Sequence, residues 1–380
     1  MATVNRKIGI LGGGQLGRML IQSGIDFNIP FKVIDPDPSA PCKDLVDGFV
    51  NGNLKDFDAV YQFGKDCDVV TIEIEHVNTQ ALRKLEEEGK KVFPQPHIIE
   101  LIQDKRLQKQ FYQKEGIPTA EFVLTENAAD VAAQADFLPA VNKLGREGYD
   151  GRGVQVIRSE KDMTKAFDQP GLLEKLIDFE KELSVIVARN EQGEIKTFPV
   201  VELVYHPEAN LVEFLFSPAK ISSEVEQKAR ALAEKVITKL GMVGLLAVEM
   251  FLTKDHEILV NEVAPRPHNS GHQTIEANIT SQYEQHLRSI LGWPLGSTRA
   301  HTPAAMVNLL GEEGFQGEAV YEGLEEVLQK EGIHPHLYGK RLTKPFRKMG
   351  HVTIVNESAE DLKTLAYWVK DKLKIKAKNG

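Results

Sequence analysis

A short apolar strand that runs directly into a glycine-rich turn is the feature that most constrains this 380-residue chain. The strand at 7–11 is followed by Gly12-Gly13-Gly14-Gln15-Leu16-Gly17, and the next residues, Arg18 to Ser23, have a helical pattern. More short apolar strands follow at 31–34, 69–74 and 92–93. Apolar strands that alternate with helices indicate a parallel sheet with both faces covered. The sequence therefore predicts a βαβ-type domain over residues 1–100.

The turn Gly12-x-Gly14-x-x-Gly17 leaves three interpretations open. Glycines before a helix let a phosphate approach backbone N–H groups at the helix N-terminus. Asp35, at the end of the second strand, stands where the ribose-binding acid of a dinucleotide site would lie, so one interpretation is an NAD-dependent oxidoreductase. The others are a tight structural turn and a loop that holds a different phosphorylated ligand.

Two glutamates interrupt apolar strands in the second half of the chain. Glu249 and Glu262 each lie in such a strand, and residues 253–256 form the turn between the strands. If Leu252 pairs with Glu257 across this turn, both carboxylates fall on the same face of the sheet. Two carboxylates so placed repel each other unless a cation lies between them. The alternative is a pair of glutamates that face solvent.

A hard divalent cation would neutralise this carboxylate pair. Mg²⁺ needs few carboxylates when phosphates supply its other oxygen ligands. Side-chain alternation turns Asn261 to the opposite face of its strand, whereas Asn269 is near enough in sequence to be a further polar ligand. The sequence therefore predicts Mg²⁺, or Mn²⁺ in its place, at Glu249 and Glu262.

A lysine at the end of a strand precedes a glycine-rich loop that carries two arginines. The segment runs from Lys143 to Gly153, KLGREGYDGRG. Flexible backbone N–H groups and nearby cations suit a loop that closes over a triphosphate. The alternative is a mobile surface hairpin.

Two other segments concentrate polar groups. Residues 264–272, APRPHNSGH, directly follow Glu262 and suggest a site for an anion or a reacting group. Residues 340–351 hold a dense cation cluster in a chain of negative net charge, which suits a substrate phosphate. A solvated basic hairpin is the alternative for this second segment.

The bulk properties exclude several classes of protein. The net charge of −9 argues against a general nucleic-acid or membrane-surface binder. Two cysteines, Cys42 and Cys67, cannot form a disulfide framework and suit a reducing compartment. Because the sequence has neither a signal-peptide pattern nor a membrane-spanning apolar run, we expect a cytoplasmic protein.

Together these segments resemble the ATP-grasp superfamily and, within it, the N5-carboxyaminoimidazole ribonucleotide synthetases of de novo purine synthesis. The resemblance rests on GILGGGQLGRML, TIEIEHV, GYDGRG, VEMF, NEVAPRPHNSGH and HLYGKxxxKPFRKMGHVT, in this order over nearly the whole chain. It implies an α/β and α+β fold of ATP-grasp type. The three implied domains are Rossmann-like at 1–100, ATP-grasp at 101–297 and a small C-terminal domain at 298–380.

The resemblance also implies a reaction. ATP, bicarbonate and 5-aminoimidazole ribonucleotide would give N5-carboxyaminoimidazole ribonucleotide, ADP and phosphate. Bicarbonate would take the γ-phosphoryl group, and the resulting carboxyphosphate, or the CO₂ that it releases, would meet the exocyclic amine. A homodimer is the implied assembly. A formate-using ligase of the same pathway and a non-catalytic nucleotide-binding protein are the alternatives within the superfamily.

By the same resemblance, the nucleotide and metal sites are assigned residue by residue. Glu249 and Glu262 would hold magnesium. Lys143 would bind the ATP phosphates and the loop at 148–154 would close over them. The full set of implied ATP contacts is Lys105, Lys143, Gly148, Tyr149, Asp150, Gly151, Arg152, Gly153, Val154, Glu174, Lys175, Leu176, Ile177, Glu182, Asn261 and Glu262.

The reacting groups are assigned in the same way. Arg152, His268 and Asn269 would surround bicarbonate and its phosphorylated product, and Asp150 would handle a proton at the amine. The implied ribonucleotide contacts are Gln15, Glu73, Tyr149, Arg152, Lys340, Arg347 and Lys348.

Three departures from the family pattern concern the ATP contacts. Lys105 stands where relatives often have arginine, so the charge is kept but the bidentate fork is lost. Glu147 replaces a usual glycine, and either Tyr205 or His206 takes the position of a family histidine.

Overall fold

The first part of the chain forms a five-stranded parallel sheet covered by helices. The fold is that of a computed structural model, in which residues 6–146, 148, 153–206 and 211–378 are described. The elements are β1 (Ile8–Leu11), α1 (Gln15–Ile25), β2 (Phe31–Asp35), β3 (Gly48–Asn51), α2 (Phe57–Lys65), β4 (Val69–Ile72), α3 (Thr79–Glu87) and β5 (Lys91–Val92). The strand order β3-β2-β1-β4-β5 places the glycine-rich turn after the central strand, and all the pairings are parallel, as the apolar strand pattern predicts.

Two helices lead from this sheet to a small antiparallel one. The elements are α4 (Pro96–Gln103), α5 (Lys105–Lys114), β6 (Phe122–Thr125), α6 (Ala128–Ala132), β7 (Ala140–Leu144), β8 (Val154–Ile157) and β9 (Gly171–Lys175). The sheet has the order β6-β9-β7-β8, so β9 is a central strand. Asp104 has an extended backbone and separates the two helices.

The rest of the described chain holds a three-stranded sheet and, as its main element, a nine-stranded sheet. Its neighbourhood contains β10 (Phe179–Arg189), β11 (Ile195–Thr197), β12 (Val201–Tyr205), β13 (Val212–Ser217), α7 (Ser223–Leu240), β14 (Gly244–Thr253), β15 (Ile258–Ala264), α8 (Thr274–Ala277), α9 (Gln282–Leu291), β16 (Ala304–Leu310), β17 (Gly317–Glu322), α10 (Leu324–Leu328), β18 (Ile333–Leu337), β19 (Leu342–Thr343), β20 (Lys348–Val355), α11 (Ala359–Lys372) and β21 (Lys374–Ala377). The order is β15-β14-β10-β12-β13-β16-β20-β18, with β11 beside β10. A single sheet therefore joins the central and C-terminal regions.

Helix α7 covers one face of the large sheet and leaves the other face for the site. Its apolar stripe from Val225 to Leu240 is buried, as its 3.6-residue spacing predicts. Gly241 ends the helix in the left-handed conformation with φ +62°. Ser222 is the N-cap, because its hydroxyl accepts the hydrogen bond from Val225 N at 3.2 Å.

This cap gives a direct test of the helix start. We expect Ser222→Ala to lower the free energy of unfolding by about 1 kcal/mol, because an N–H of the first turn loses its partner. Ser223→Ala is the matched control, and it should change stability by less than about 0.5 kcal/mol. Chemical denaturation of both variants measures the difference. Equal effects would show that Ser222 does not cap α7.

Candidate functional site

The two glutamates of the apolar strands lie directly opposite each other. Strands β14 and β15 are antiparallel, and Glu249 pairs with Glu262. The predicted pairing of Leu252 with Glu257 is wrong, since Leu252 pairs with Ile258. A β-bulge between the turn and the glutamates adds one residue to β15 and restores the register that brings the two carboxylates together.

The bulge also changes the direction of Asn261. Strict alternation would turn Asn261 away from Glu262, but two bulge residues oppose one residue of the partner strand. The Asn261 amide oxygen accepts a hydrogen bond from the Lys143 ammonium at 3.1 Å. Asn261 and Glu262 therefore both line the cleft, and the expectation that Asn261 points to the other side is wrong.

The two carboxylates have opposite electrostatic surroundings. Burial and the charge of Glu262 raise the pKa of Glu249. The Lys105 ammonium lies 2.9 Å from the Glu262 carboxylate and lowers its pKa. Such a pair fits a divalent cation that phosphates also bind. In the described part of the chain no cluster of three or more His, Cys, Asp or Glu side chains is placed to hold a metal.

A cleft of about 530 Å³ lies above this pair, between the four-stranded and the nine-stranded sheets. Burial raises the pKa of Glu182 in this cleft to about 7. Tyr205 donates a hydrogen bond to Glu249 at 3.2 Å, whereas the His206 ring packs on Phe346. The lining includes Lys105, Lys143, Gly148, Val154, Glu174, Lys175, Leu176, Ile177, Glu182, Tyr205, Glu249, Asn261, Glu262, His268, Asn269 and Lys348.

Four of the implied ATP contacts, residues 174–177, lie at the end of the central strand β9 and just beyond it. Glu174 pairs with Phe122 on one side and with Val141 on the other, so its backbone is not at a free strand edge. Its carboxylate is buried between two lysines, Lys143 at 2.6 Å and Lys109 at 2.7 Å. Leu176 and Ile177 lie just beyond the strand and also line the larger cleft.

A second cleft of about 210 Å³ adjoins the first and shares Lys105, Glu249, Glu262 and His268 with it. Arg266 lines this cleft, and its guanidinium lies 2.9 Å from the Glu75 carboxylate. Arg266 has no predicted role of its own in the polar segment 264–272. Its position four residues after Glu262, in a segment with two histidines, was the available signal.

His268 and Asn269 stand where the two clefts meet. The His268 ring nitrogen Nε2 lies 3.6 Å from Glu249, and Nδ1 lies 2.9 Å from the Ser270 hydroxyl. Gln282 holds the loop because its amide bonds both the backbone N and the backbone O of His268. The buried Asn269 Nδ2 has no hydrogen-bond partner among the described residues. A buried donor without a partner suits a bound anion.

The glycine-rich turn is occupied by carboxylates of the chain itself. Gly13 N donates to Asp35 at 2.6 Å, and Gly14 N and Leu16 N donate to Glu73 at 3.1 and 3.2 Å. A side chain at position 14 would collide with Glu73. These N–H groups already donate hydrogen bonds to carboxylates, which argues against a dinucleotide site that would bind a pyrophosphate through them. Gln15 begins α1 beside this carboxylate.

The basic segment divides between two places. Lys348 lines the larger cleft, where its charge lowers the pKa of Glu249 against the stronger effect of burial. Hydrogen bonds from Ser39 and, more weakly, the charge of the Arg347 guanidinium lower the pKa of Asp37 in the N-terminal domain, and the guanidinium donates to Leu342 O at 2.7 Å. The Lys340 ammonium donates to Lys348 O at 2.8 Å.

Part of the predicted site lies outside the described residues. This applies to Tyr149, Asp150, Gly151 and Arg152, and also to Glu147. Their assigned contacts stay predictions. Gly148, Gly153 and Val154 flank this stretch and are described, and Val154 begins β8.

Two sheets face each other across a lysine-rich cleft, and a pair of carboxylates lies at the base of this cleft. This arrangement defines an ATP-grasp enzyme. The chain matches the models of a ribonucleotide synthetase preATP-grasp domain at 5–103, an ATP-grasp domain at 110–283 and a phosphoribosylaminoimidazole carboxylase C-terminal domain at 304–364. It belongs to the N5-carboxyaminoimidazole ribonucleotide synthase family.

Individual relatives support this membership. The Bacillus subtilis synthase is 40% identical over 93% of this chain and 92% of its own. The Thermotoga maritima synthetase structure has a TM-score of 0.91 at 43% identity and covers 98% of this chain and 100% of its own. An Aspergillus clavatus synthase solved with ADP and 5-aminoimidazole ribonucleotide has a TM-score of 0.88 at 36% identity, over 97% of this chain and 98% of its own. The chain spans about two thirds of the longer fungal and plant relatives.

Proposed function

We propose that this chain is the ATP-dependent ligase that carboxylates 5-aminoimidazole ribonucleotide with bicarbonate. The products are N5-carboxyaminoimidazole ribonucleotide, ADP and phosphate. The observation that carries the proposal is the Glu249–Glu262 pair at the junction of two adjoining clefts. One cleft suits a nucleotide and the other a small anion next to a second substrate, so a phosphoryl group can pass from one to the other.

ATP occupies the larger cleft in this proposal. Lys143 and Lys105 face its phosphates, and Leu176 and Ile177 face the base. Mg²⁺, or Mn²⁺, held by Glu249 and Glu262 supplies charge neutralisation to the phosphate oxygens. Glu182 lies on the same face of the sheet and suits the ribose hydroxyls.

Bicarbonate occupies the smaller cleft beside Arg266 and His268. One bicarbonate oxygen attacks the γ-phosphorus, and the bond between this phosphorus and the bridging oxygen of the β-phosphate breaks. ADP is the leaving group, and carboxyphosphate is the other product. The Arg266 guanidinium, the Asn269 amide and Lys348 supply donors for the charge that develops. A dry site protects carboxyphosphate, which water would otherwise decompose.

The ribonucleotide lies between the glycine-rich turn and the basic segment. Glu73 suits the ribose hydroxyls, and Lys340 and Arg347 suit the phosphate. The exocyclic nitrogen attacks the carboxyl carbon of carboxyphosphate, or the CO₂ released from it, and phosphate leaves with its bonding electrons. The nitrogen gives up one proton, and the proposed role of Asp150 is to accept it.

Phosphate release from ATP tests this function. We expect release to require both bicarbonate and 5-aminoimidazole ribonucleotide, and formate to replace bicarbonate poorly. Release without the ribonucleotide would leave a bicarbonate-dependent ATPase, and preference for formate would support the formate-using ligase instead. No turnover with magnesium present would overturn the enzyme assignment.

Two further expectations belong to this proposal. We propose a cytoplasmic homodimer, on the basis of the family pattern. No helix in the described ranges combines the length and apolar character that crossing a membrane requires. Light scattering at several protein concentrations measures the assembly state.

A further inference from the structure

A lysine that lines neither cleft is connected to the nucleotide site through one buried carboxylate. Lys109 lies one turn after Lys105 on α5, so the two side chains share a helix face. Lys105 reaches Glu262, and Lys109 reaches Glu174 at 2.7 Å. The Lys109 side chain is only 3% exposed. It therefore acts on the site, if at all, through other residues.

Glu174 has two cationic partners, one for each oxygen. Lys109 lies at Oε1 and Lys143 at Oε2, 2.6 Å away. The Glu174 side chain is 5% exposed. Burial alone would raise its pKa, but the charges of Lys143 and Lys109 outweigh burial and lower it. Glu174 is thus a buried anion that needs at least one cation, since an uncompensated buried charge is strongly destabilising.

The two lysines differ in what else they can reach. Lys143 lines the nucleotide cleft and also donates to Asn261. Lys109 instead donates to the Thr119 hydroxyl, which in turn donates to Val260 O at 2.7 Å. Among the described residues Lys143 lines the larger cleft and Lys109 does not, so Lys143 can move from Glu174 to a phosphate bound there. That movement would leave Glu174 without a counter-ion if Lys109 were absent.

We propose that Lys109 is a positioning residue for ATP: it neutralises Glu174 both with and without bound nucleotide, and so frees Lys143 to bind the phosphates. This inference rests on the proposed function, because it requires a nucleotide in the larger cleft. In the free protein Glu174 binds both lysines. In the nucleotide complex Glu174 stays paired with Lys109. The Lys143 ammonium then exchanges the Glu174 carboxylate for a phosphate, at little electrostatic cost.

A charge-removal cycle tests this inference. We expect Lys109→Met to raise the dissociation constant for MgATP by about tenfold, because Glu174 then retains Lys143. The double variant Lys109→Met with Glu174→Gln removes the competing charge as well, and it should bind MgATP several-fold more tightly than Lys109→Met alone. Isothermal titration of the full chain with MgATP measures both values. Lys239→Met is the matched control, because it breaks a 3.0 Å ion pair with Glu115 at the far end of α5.

The outcomes separate positioning from packing. If Lys109 only supports the fold, the double variant will bind as weakly as Lys109→Met or more weakly, and this result would overturn the inference. Unchanged binding by Lys109→Met would overturn it too. Should Lys109→Met fail to fold, the double variant and Lys109→Arg, which keeps the charge, still give the comparison. A wild type that binds no MgATP would overturn the proposed function and this inference with it.

A pH profile gives a readout that packing would not change. Burial lowers the pKa of Lys109 to about 8, with Glu174 opposing this shift and Lys143 and Lys105 adding to it. Loss of the proton above pH 8 should have the effect of Lys109→Met, so the dissociation constant for MgATP rises there. Arginine stays protonated, and Lys109→Arg should bind with a flatter profile between pH 7 and 9. An identical rise in both proteins would count against Lys109 as its source.

Discussion

Glu262→Gln is expected to lower ATP turnover by about 10³-fold while the chain stays folded. The carboxylate lies opposite Glu249 at the base of the nucleotide cleft, and an amide lacks the charge that a divalent cation requires. The same change leaves Lys105 without its 2.9 Å partner. Because Glu262 is about half exposed, the lost ion pair should cost only about 1 kcal/mol of stability or less. Phosphate release and thermal unfolding measure the two effects.

Glu249→Gln should lose turnover to a similar degree but change stability in the opposite direction. Glu249 is buried and repelled by Glu262, so a neutral amide removes an unfavourable charge in the metal-free protein. The unfolding midpoint without magnesium should therefore rise or stay unchanged. Glu257→Gln, in the turn of the same hairpin, is the matched control and should keep full activity. Turnover by either site variant near the wild-type rate would contradict the assignment of this pair to the metal.

The broad architecture could be predicted from the sequence because local patterns determine it. The apolar strands around the glycine-rich turn predicted the parallel sheet, and the fold class implied by the family motifs is confirmed. The same-face placement of Glu249 and Glu262 was also predicted correctly, although the assumed pairing of Leu252 was wrong. A bulge compensated for the error, and a bulge has no signal in strand periodicity.

Contacts between distant segments were the part that sequence could not supply. The meaning of the glycine turn depends on Glu73, which is 59 residues from Gly14 and occupies its N–H. Arg266 acquires a role only through the cleft that it shares with Glu75. Lys109 looks like an ordinary helix lysine until the fold places it against Glu174. Each of these roles arises from long-range packing, which no local pattern encodes.

Arg266→Met is expected to lower kcat/KM for bicarbonate by about 10²- to 10³-fold, with MgADP binding changed by less than about threefold. The guanidinium lines the smaller cleft beside His268, and the proposed function places bicarbonate in this cleft. Bicarbonate has few atoms, so a single cation makes up much of its recognition. Steady-state kinetics at varied bicarbonate, with saturating ATP and ribonucleotide, measure the loss.

The selectivity of this loss distinguishes anion binding from support of the fold. The Arg266 guanidinium also lies 2.9 Å from the Glu75 carboxylate. Its removal leaves this carboxylate without its partner and should lower the free energy of unfolding by about 1 to 3 kcal/mol. Arg288→Met is the control, because it breaks an arginine–glutamate pair on α9 away from both clefts. Arg288→Met should also lose some stability, but its kcat/KM for bicarbonate should stay unchanged. If Arg266→Met weakens MgADP as strongly as bicarbonate, the arginine organises the whole site, and its assignment to the bicarbonate cleft is wrong.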